Sequence, residues 1–150
     1  MTELIMIVLA IVAGAALSMQ AAVNGQLGEK VGVLKSAFLT FSVGAAITAV
    51  LILFLQTPQQ ATLLTVPKWQ LAGALFGVPY IIIMVTAVPR VGTAVATVAV
   101  ILGQLAMGML IDNFGWLDNP SIPFSWYRLA AIPCLVIALA LIYRSNRKAE

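Results

Sequence analysis

Five long runs of apolar residues, almost free of charge, leave this chain few ways to fold. They cover about residues 4–23, 36–55, 69–88, 93–111 and 126–143, the last being the shortest. An α-helix needs about 20 apolar residues to cross a hydrocarbon core of about 30 Å, and each run approaches that length. Inside lipid no water is present to satisfy backbone N–H and C=O groups, so such a run crosses as a helix, which satisfies them internally. Composition agrees: 62% of residues are hydrophobic and 9% charged, against about a quarter charged in soluble domains. Mean hydropathy is +1.06. The expected fold class is an all-α integral membrane protein, a five-transmembrane-helix bundle. Residues 1–150 read as a single transmembrane domain, because the segments between the runs are too short to bury a core of their own.

Those segments are 24–35, 56–68 with Pro58 and Pro67, the tight Pro89-Arg90-Val91-Gly92 turn, and 112–125, rich in Pro and aromatics. Proline and glycine there end helices for steric and hydrogen-bonding reasons. Trp69, Trp116, Trp126, Tyr127 and Tyr143 stand at span ends, where amphipathic rings settle among headgroups. Basic residues set the orientation. Lys30, Lys35, Arg90, Arg144, Arg147 and Lys148 fall on one side and Lys68 and Arg128 on the other. The positive-inside rule places the first group in the cytoplasm and the N-terminus outside. The first run follows Glu3 without a basic leader and is too long for a signal peptide's apolar region, so it is expected to remain in the mature protein.

Several function classes drop out. The net charge of +3 comes from residues scattered at span ends rather than clustered on a polar face, so no nucleic-acid partner is expected. Cys134 is the single cysteine and histidine is absent, so an intrachain disulfide is impossible and no metal or cofactor site is expected. No nucleophile–base pair or paired intramembrane carboxylate is visible, and the chain is not expected to be an enzyme.

Polar and small residues inside apolar runs mark packing or binding. In the second run Ser36, Thr40, Gly44 and Thr48 recur every four residues on one face. In the fourth, Thr93, Thr97, Ile101, Gln104, Gly108 and Asp112 form a stripe ending in a carboxylate. The first carries Ala13, Ala16, Gln20 and Asn24 on one face and Ala10, Gly14 and Ser18 on another. The third holds Gly73 and Gly77, then Pro79, which frees a carbonyl one turn earlier that protein or water must satisfy, then Tyr80. Gly44, Gly73, Gly77 and Gly108 are expected to serve close helix packing. The substrate-binding candidates are Gln20, Asn24, Tyr80 and Gln104, and for the three amides structural hydrogen bonding stands as an equal alternative. Asp112 reads as an interfacial carboxylate or, less naturally from its terminal position, a buried proton carrier. Arg128 lies on the same side, and the two form a candidate gate or ion pair.

An odd span count has a symmetry consequence. A tandem copy of a five-span unit is necessarily inverted, the internal symmetry of many secondary transporters. No repeat is visible within the chain, so it reads as the unit itself.

The residues Gln20-Ala21-Ala22-Val23-Asn24 with Leu27-Gly28, Phe41-Ser42-Val43-Gly44, Pro89-Arg90-Val91-Gly92, Gly103-Gln104 and Ile111-Asp112-Asn113-Phe114-Gly115 followed by Arg128 run in order through nearly the whole chain. In this set the chain resembles the YdcZ-type five-helix inner-membrane exporters of the drug/metabolite transporter superfamily. The resemblance implies a bacterial plasma (inner) membrane location and half of an inverted-repeat, drug/metabolite transporter-like architecture. It also implies export of a small metabolite or drug by an antiparallel dimer. The related small multidrug resistance proteins carry a glutamate in the middle of their first helix as the shared proton and cation site. Here the first run offers only Glu3 at its start, so that exchange mechanism does not carry over.

The leading expectation is a small-molecule transporter, working as an antiparallel homodimer or a heterodimer with a paralogue, in contact with membrane lipid. Its central site is neutral and polar, with Met19 and Met84 among its apolar walls and the fifth span peripheral. An unpaired ion is expensive inside a membrane, so a neutral or weakly charged substrate suits it. The alternative is a non-transporting assembly or regulatory partner using the same small-residue faces for packing, with no cavity.

Overall fold

The structure is a computed structural model and describes residues 2–57 and 64–147. Lys148, counted above among the cytoplasmic basic residues, and Pro58 lie outside the described residues. Five helices form: α1 (Thr2–Val31), α2 (Val33–Leu55), α3 (Gly73–Val91), α4 (Thr93–Phe114) and α5 (Trp126–Arg147). A 3-10 turn over Lys68–Ala72 leads into α3, and a short turn at Trp116–Asp118 follows α4. All five helical segments are long and apolar enough to cross a membrane. The most apolar windows of α2 and α5 bury no residue within the chain, as expected where lipid takes the place of a protein core. The described part of the chain is thus an all-helical protein with five candidate membrane spans.

The helices overrun the apolar runs. The segment 24–35, read from sequence as a connection, is helical but for Gly32, and α1 has 30 residues. A helix ends where its backbone can no longer continue, not where its side chains turn polar. Gly32 supplies that break at φ 94°, a region that L side chains seldom enter. Its N–H donates to the Gly28 carbonyl at 2.9 Å and its carbonyl accepts from Ser36 N–H at 3.1 Å, so one residue closes α1 and opens α2. Gly92, at φ 82°, likewise separates α3 from α4, and the Pro89–Val91 part of the expected turn is helical. Because α1 continues to Val31, it also carries Glu29 in its last turn, which corrects the expectation of no acid beyond Glu3. Its middle remains free of acidic residues.

The chain divides into two compact units, Met1–Arg90 and Val91–Glu150. In the first, Ala21, Asn24, Gly25 and Gly28 form the buried stripe of α1, while Ser36 and Ala37 are buried on α2 and Ile81, Met84, Val85 and Val88 on α3. Small residues on α1 let the other helices approach closely. A Cβ on Gly25 would lie 3.2 Å from Val88 Cγ1 and 3.3 Å from Pro89 Cδ, and one on Gly28 would overlap Val85 Cγ1. By contrast, a Cβ on Gly44, Gly73 or Gly108 would meet nothing within 4 Å, and Gly77 makes ordinary contact with Phe41. Close packing within the chain therefore falls on Gly25 and Gly28.

In the second unit α4 and α5 pack together, burying Val95, Ala96 and Met109. Asn146 near the end of α5 reaches the start of α4, its Nδ2 donating to the Val91 carbonyl at 3.5 Å. Gly115 ends α4 in the left-handed conformation at φ 61°, ψ 32°. Ser125 starts α5 by accepting Arg128 N–H on its hydroxyl at 3.3 Å, the usual service of a serine N-cap.

Candidate functional site

Within the first unit the tight core occupies the part of α1 beyond Gln20. Toward the other ends of the same helices lies a cavity of about 500 Å³, a volume that suits a small-molecule ligand. Gln20 lines it from α1, Thr40, Phe41, Gly44 and Thr48 from α2, and Gly77 and Tyr80 from α3. These positions follow from helical periodicity. Thr40, Gly44 and Thr48 are four residues apart and share one face of α2, while Gly77 and Tyr80 are three apart and share one face of α3. Phe41 packs its ring against Gly77, with Cζ 3.6 Å from where a Cβ would stand.

Among the described residues no charged side chain lines the cavity. The threonine hydroxyls spend their protons on their own helix: Thr40 Oγ1 donates to the Ser36 carbonyl at 3.0 Å and Thr48 Oγ1 to the Gly44 carbonyl at 2.7 Å. What they offer an occupant is oxygen lone pairs. Gln20 brings both a donor and an acceptor, and the Tyr80 hydroxyl can serve as either. The surface is mostly apolar, with a frame that includes Ile81 and Ala45, and carries a few uncharged polar groups of mixed hydrogen-bonding sense.

Gln20 and Tyr80 thus border one space. Asn24, one turn from Gln20, does not line it and is buried in the core. Its carbonyl accepts the hydroxyl proton of the fully buried Ser36 at 2.9 Å, and its amide nitrogen is buried with no protein partner. Met84 is buried and does not line the cavity, and Met19 is exposed. Gln104 stands exposed on α4 of the second unit. Thr40, Thr48 and Phe41 were not among the site candidates. The four-residue stripe on α2 was the signal for the two threonines, and nothing local in the sequence pointed to Phe41.

The second unit places Asp112 and Arg128 together. Arg128 Nη2 donates to Asp112 Oδ2 at 2.6 Å, with about a third of each side chain exposed. The backbone around the pair is fixed: Ile122 N–H donates to the Asp112 carbonyl at 2.7 Å, and Phe124 N–H donates to Asn113 Oδ1 at 3.1 Å. The ion pair therefore ties the end of α4 to the start of α5 across the Pro-rich connection.

The chain matches, over residues 5–141, the sequence model of the family described as "Putative inner membrane exporter, YdcZ". No curated protein and no solved structure matches it significantly. The match covers all five apolar helices, their glycine breaks, the residues of the uncharged cavity and the Asp112–Arg128 pair. This protein belongs to the YdcZ family of inner membrane exporters, a transport family rather than an enzyme family.

Proposed function

We propose that the chain exports a small, neutral or weakly charged polar molecule, held in the cavity bordered by Gln20 and Tyr80. The carrying observation is that the polar side chains lining this cavity of about 500 Å³, among the described residues, are all neutral. A charged solute would lose its hydration there without gaining a counter-charge, whereas a neutral one can trade water for Gln20, Tyr80 and the threonine lone pairs. The open volume supports transport over the purely structural partner role, which needs only packed faces. In an antiparallel dimer with a second copy or a paralogue, the Gln104 position on α4 of the partner completes the site. Asn24 supports the site by anchoring α1 to α2 through its carbonyl. Gly73 and Gly108, where a Cβ would meet nothing within the chain, and Gly44 beside the cavity, leave room for contact with the partner.

Efflux from reconstituted vesicles loaded with a mixture of neutral metabolites, followed by mass spectrometry, tests this reading. Gln20→Leu, Tyr80→Phe and Gln104→Leu each remove hydrogen bonds worth about 0.5–1.5 kcal/mol, about a two- to tenfold loss of affinity. The expected outcome is slower efflux of a defined subset of solutes with thermal stability and oligomeric state preserved. Normal efflux by stable Gln20 and Tyr80 variants would reject the cavity as the site. Loss of folding without a separate transport defect would assign these residues to structure alone.

A further inference from the structure

Two exposed charged residues that the uncharged cavity leaves unused border one open space elsewhere in the first unit. Glu29, in the last turn of α1, and Arg90, in the last turn of α3, line a separate cavity of about 210 Å³. Gly28 and Thr86 contribute to its lining, and Val33, Val85 and Pro89 give it an apolar side. Thr86 donates its hydroxyl proton to the Ile82 carbonyl at 2.8 Å and so presents lone pairs. Among the described residues neither Glu29 nor Arg90 has an ion-pair partner.

The placement of the two charges differs in what it does for the helices. Arg90 suits the negative end of the α3 dipole, but a carboxylate in the last turn of α1 opposes the dipole there. Glu29 therefore gains nothing from its own helix and is stabilised by a cation brought to it. Arg90, a planar fork of donors, fits a carboxylate in bidentate fashion. A simple anion at Arg90 would also face Glu29, and a simple cation at Glu29 would face Arg90. A molecule carrying both charges meets both partners at once. The volume is below the roughly 300–1,000 Å³ of drug-sized pockets, which limits the occupant to the size of an amino acid.

We propose that this cavity binds a small zwitterion, its carboxylate on Arg90, its ammonium on Glu29 and its apolar side chain against Val33, Val85 and Pro89. The site lies wholly within the first unit and does not depend on the transport reading or on a second copy.

Binding to the purified full chain in lipid nanodiscs, read by saturation-transfer NMR and calorimetry, tests it with three probes of similar body. L-valine carries both charges, isovalerate only the carboxylate and L-valinamide only the ammonium. L-valine is expected to bind, with each single-charge probe weaker by about tenfold or more. Arg90→Gln and Glu29→Gln are each expected to weaken L-valine by a similar factor, while Gly14→Ala, away from both cavities, leaves it unchanged. Equal binding of L-valine and either analogue overturns the proposal, as does unchanged L-valine binding in both charge variants or its absence at about 10 mM. The probe series on the unaltered chain decides even where a variant fails to fold. Failure of efflux in the Gln20 variant bears only on the exporter site, so the two ideas fail separately.

Discussion

Gly28 of α1 lies so close to Val85 of α3 that a Cβ on Gly28 would overlap the valine's Cγ1. Val85 is 2% exposed and sits in a cluster with Ala37 and Ile81, so shifting its branched side chain away from a new Cβ disturbs that cluster. Gly28→Ala is expected to destabilise the protein by about 1–3 kcal/mol, the usual cost of overpacking a filled core. Gly14→Ala is the internal control, because a Cβ there meets nothing within 4 Å and alanine favours a helix interior. Thermal unfolding of both variants in the same detergent checks this. A Gly28 variant as stable as the Gly14 variant would mean that α1 and α3 are not packed at this point.

The five helices were legible because apolar length alone identifies a segment that can span a bilayer. The end of α1 was not, because Asn24, Gln26, Glu29 and Lys30 look like a loop by polarity while their backbones remain helical as far as Gly32. Gly28 could be seen as small but not as tight, since that depends on which α3 residue stands opposite. Polarity within apolar runs singled out Gln20 and Tyr80, and the structure brings them to one cavity. The same rule singled out Asn24, which lies in the core. Two neighbours on one helix face can thus have different surroundings when the packing tightens between them. The Asp112–Arg128 pair was legible from their shared membrane side, although its bonding distance was not.

That ion pair is partly exposed, so solvent screening limits its worth. Asp112→Asn and Arg128→Gln are each expected to cost about 1 kcal/mol or less, and the double variant is expected to show a coupling of about 0.2–1 kcal/mol. A double-mutant cycle on thermal or denaturant unfolding checks the figure. Coupling well above this range would indicate that the pair is shielded in the assembled protein, which would strengthen its case as a gate.

Reporter fusions in whole cells test the orientation. Lys30, Lys35, Arg90, Arg144 and Arg147 outnumber Lys68 and Arg128 on the opposite side, so the expected result is Glu3 outside and Arg147 in the cytoplasm. An even number of crossings between these ends would refute the five-span reading. Equal signals at both faces would instead show that the chain inserts both ways, which matters for how it pairs.

Five spans without an internal repeat make an antiparallel pair the natural route to inverted symmetry. Gly44, Gly73 and Gly108, where a Cβ would meet nothing within 4 Å in the same chain, offer room for close approach of a partner. Dual insertion would supply that partner from copies of this chain, whereas a single orientation would require a paralogue inserted the other way. Two differently tagged chains, each in a Cys134→Ser background with one new cysteine, resolve the arrangement by crosslinking in native membranes. An antiparallel homodimer is expected to link a cysteine near Glu3 of one copy with one near Arg147 of the other, since these ends then share a membrane face. Exclusive linkage between two cysteines near Arg147 would mean a parallel pair. In that arrangement α4 of the two copies runs in the same sense, the inverted symmetry is lost, and the proposed contribution of Gln104 to a shared central site has to be abandoned.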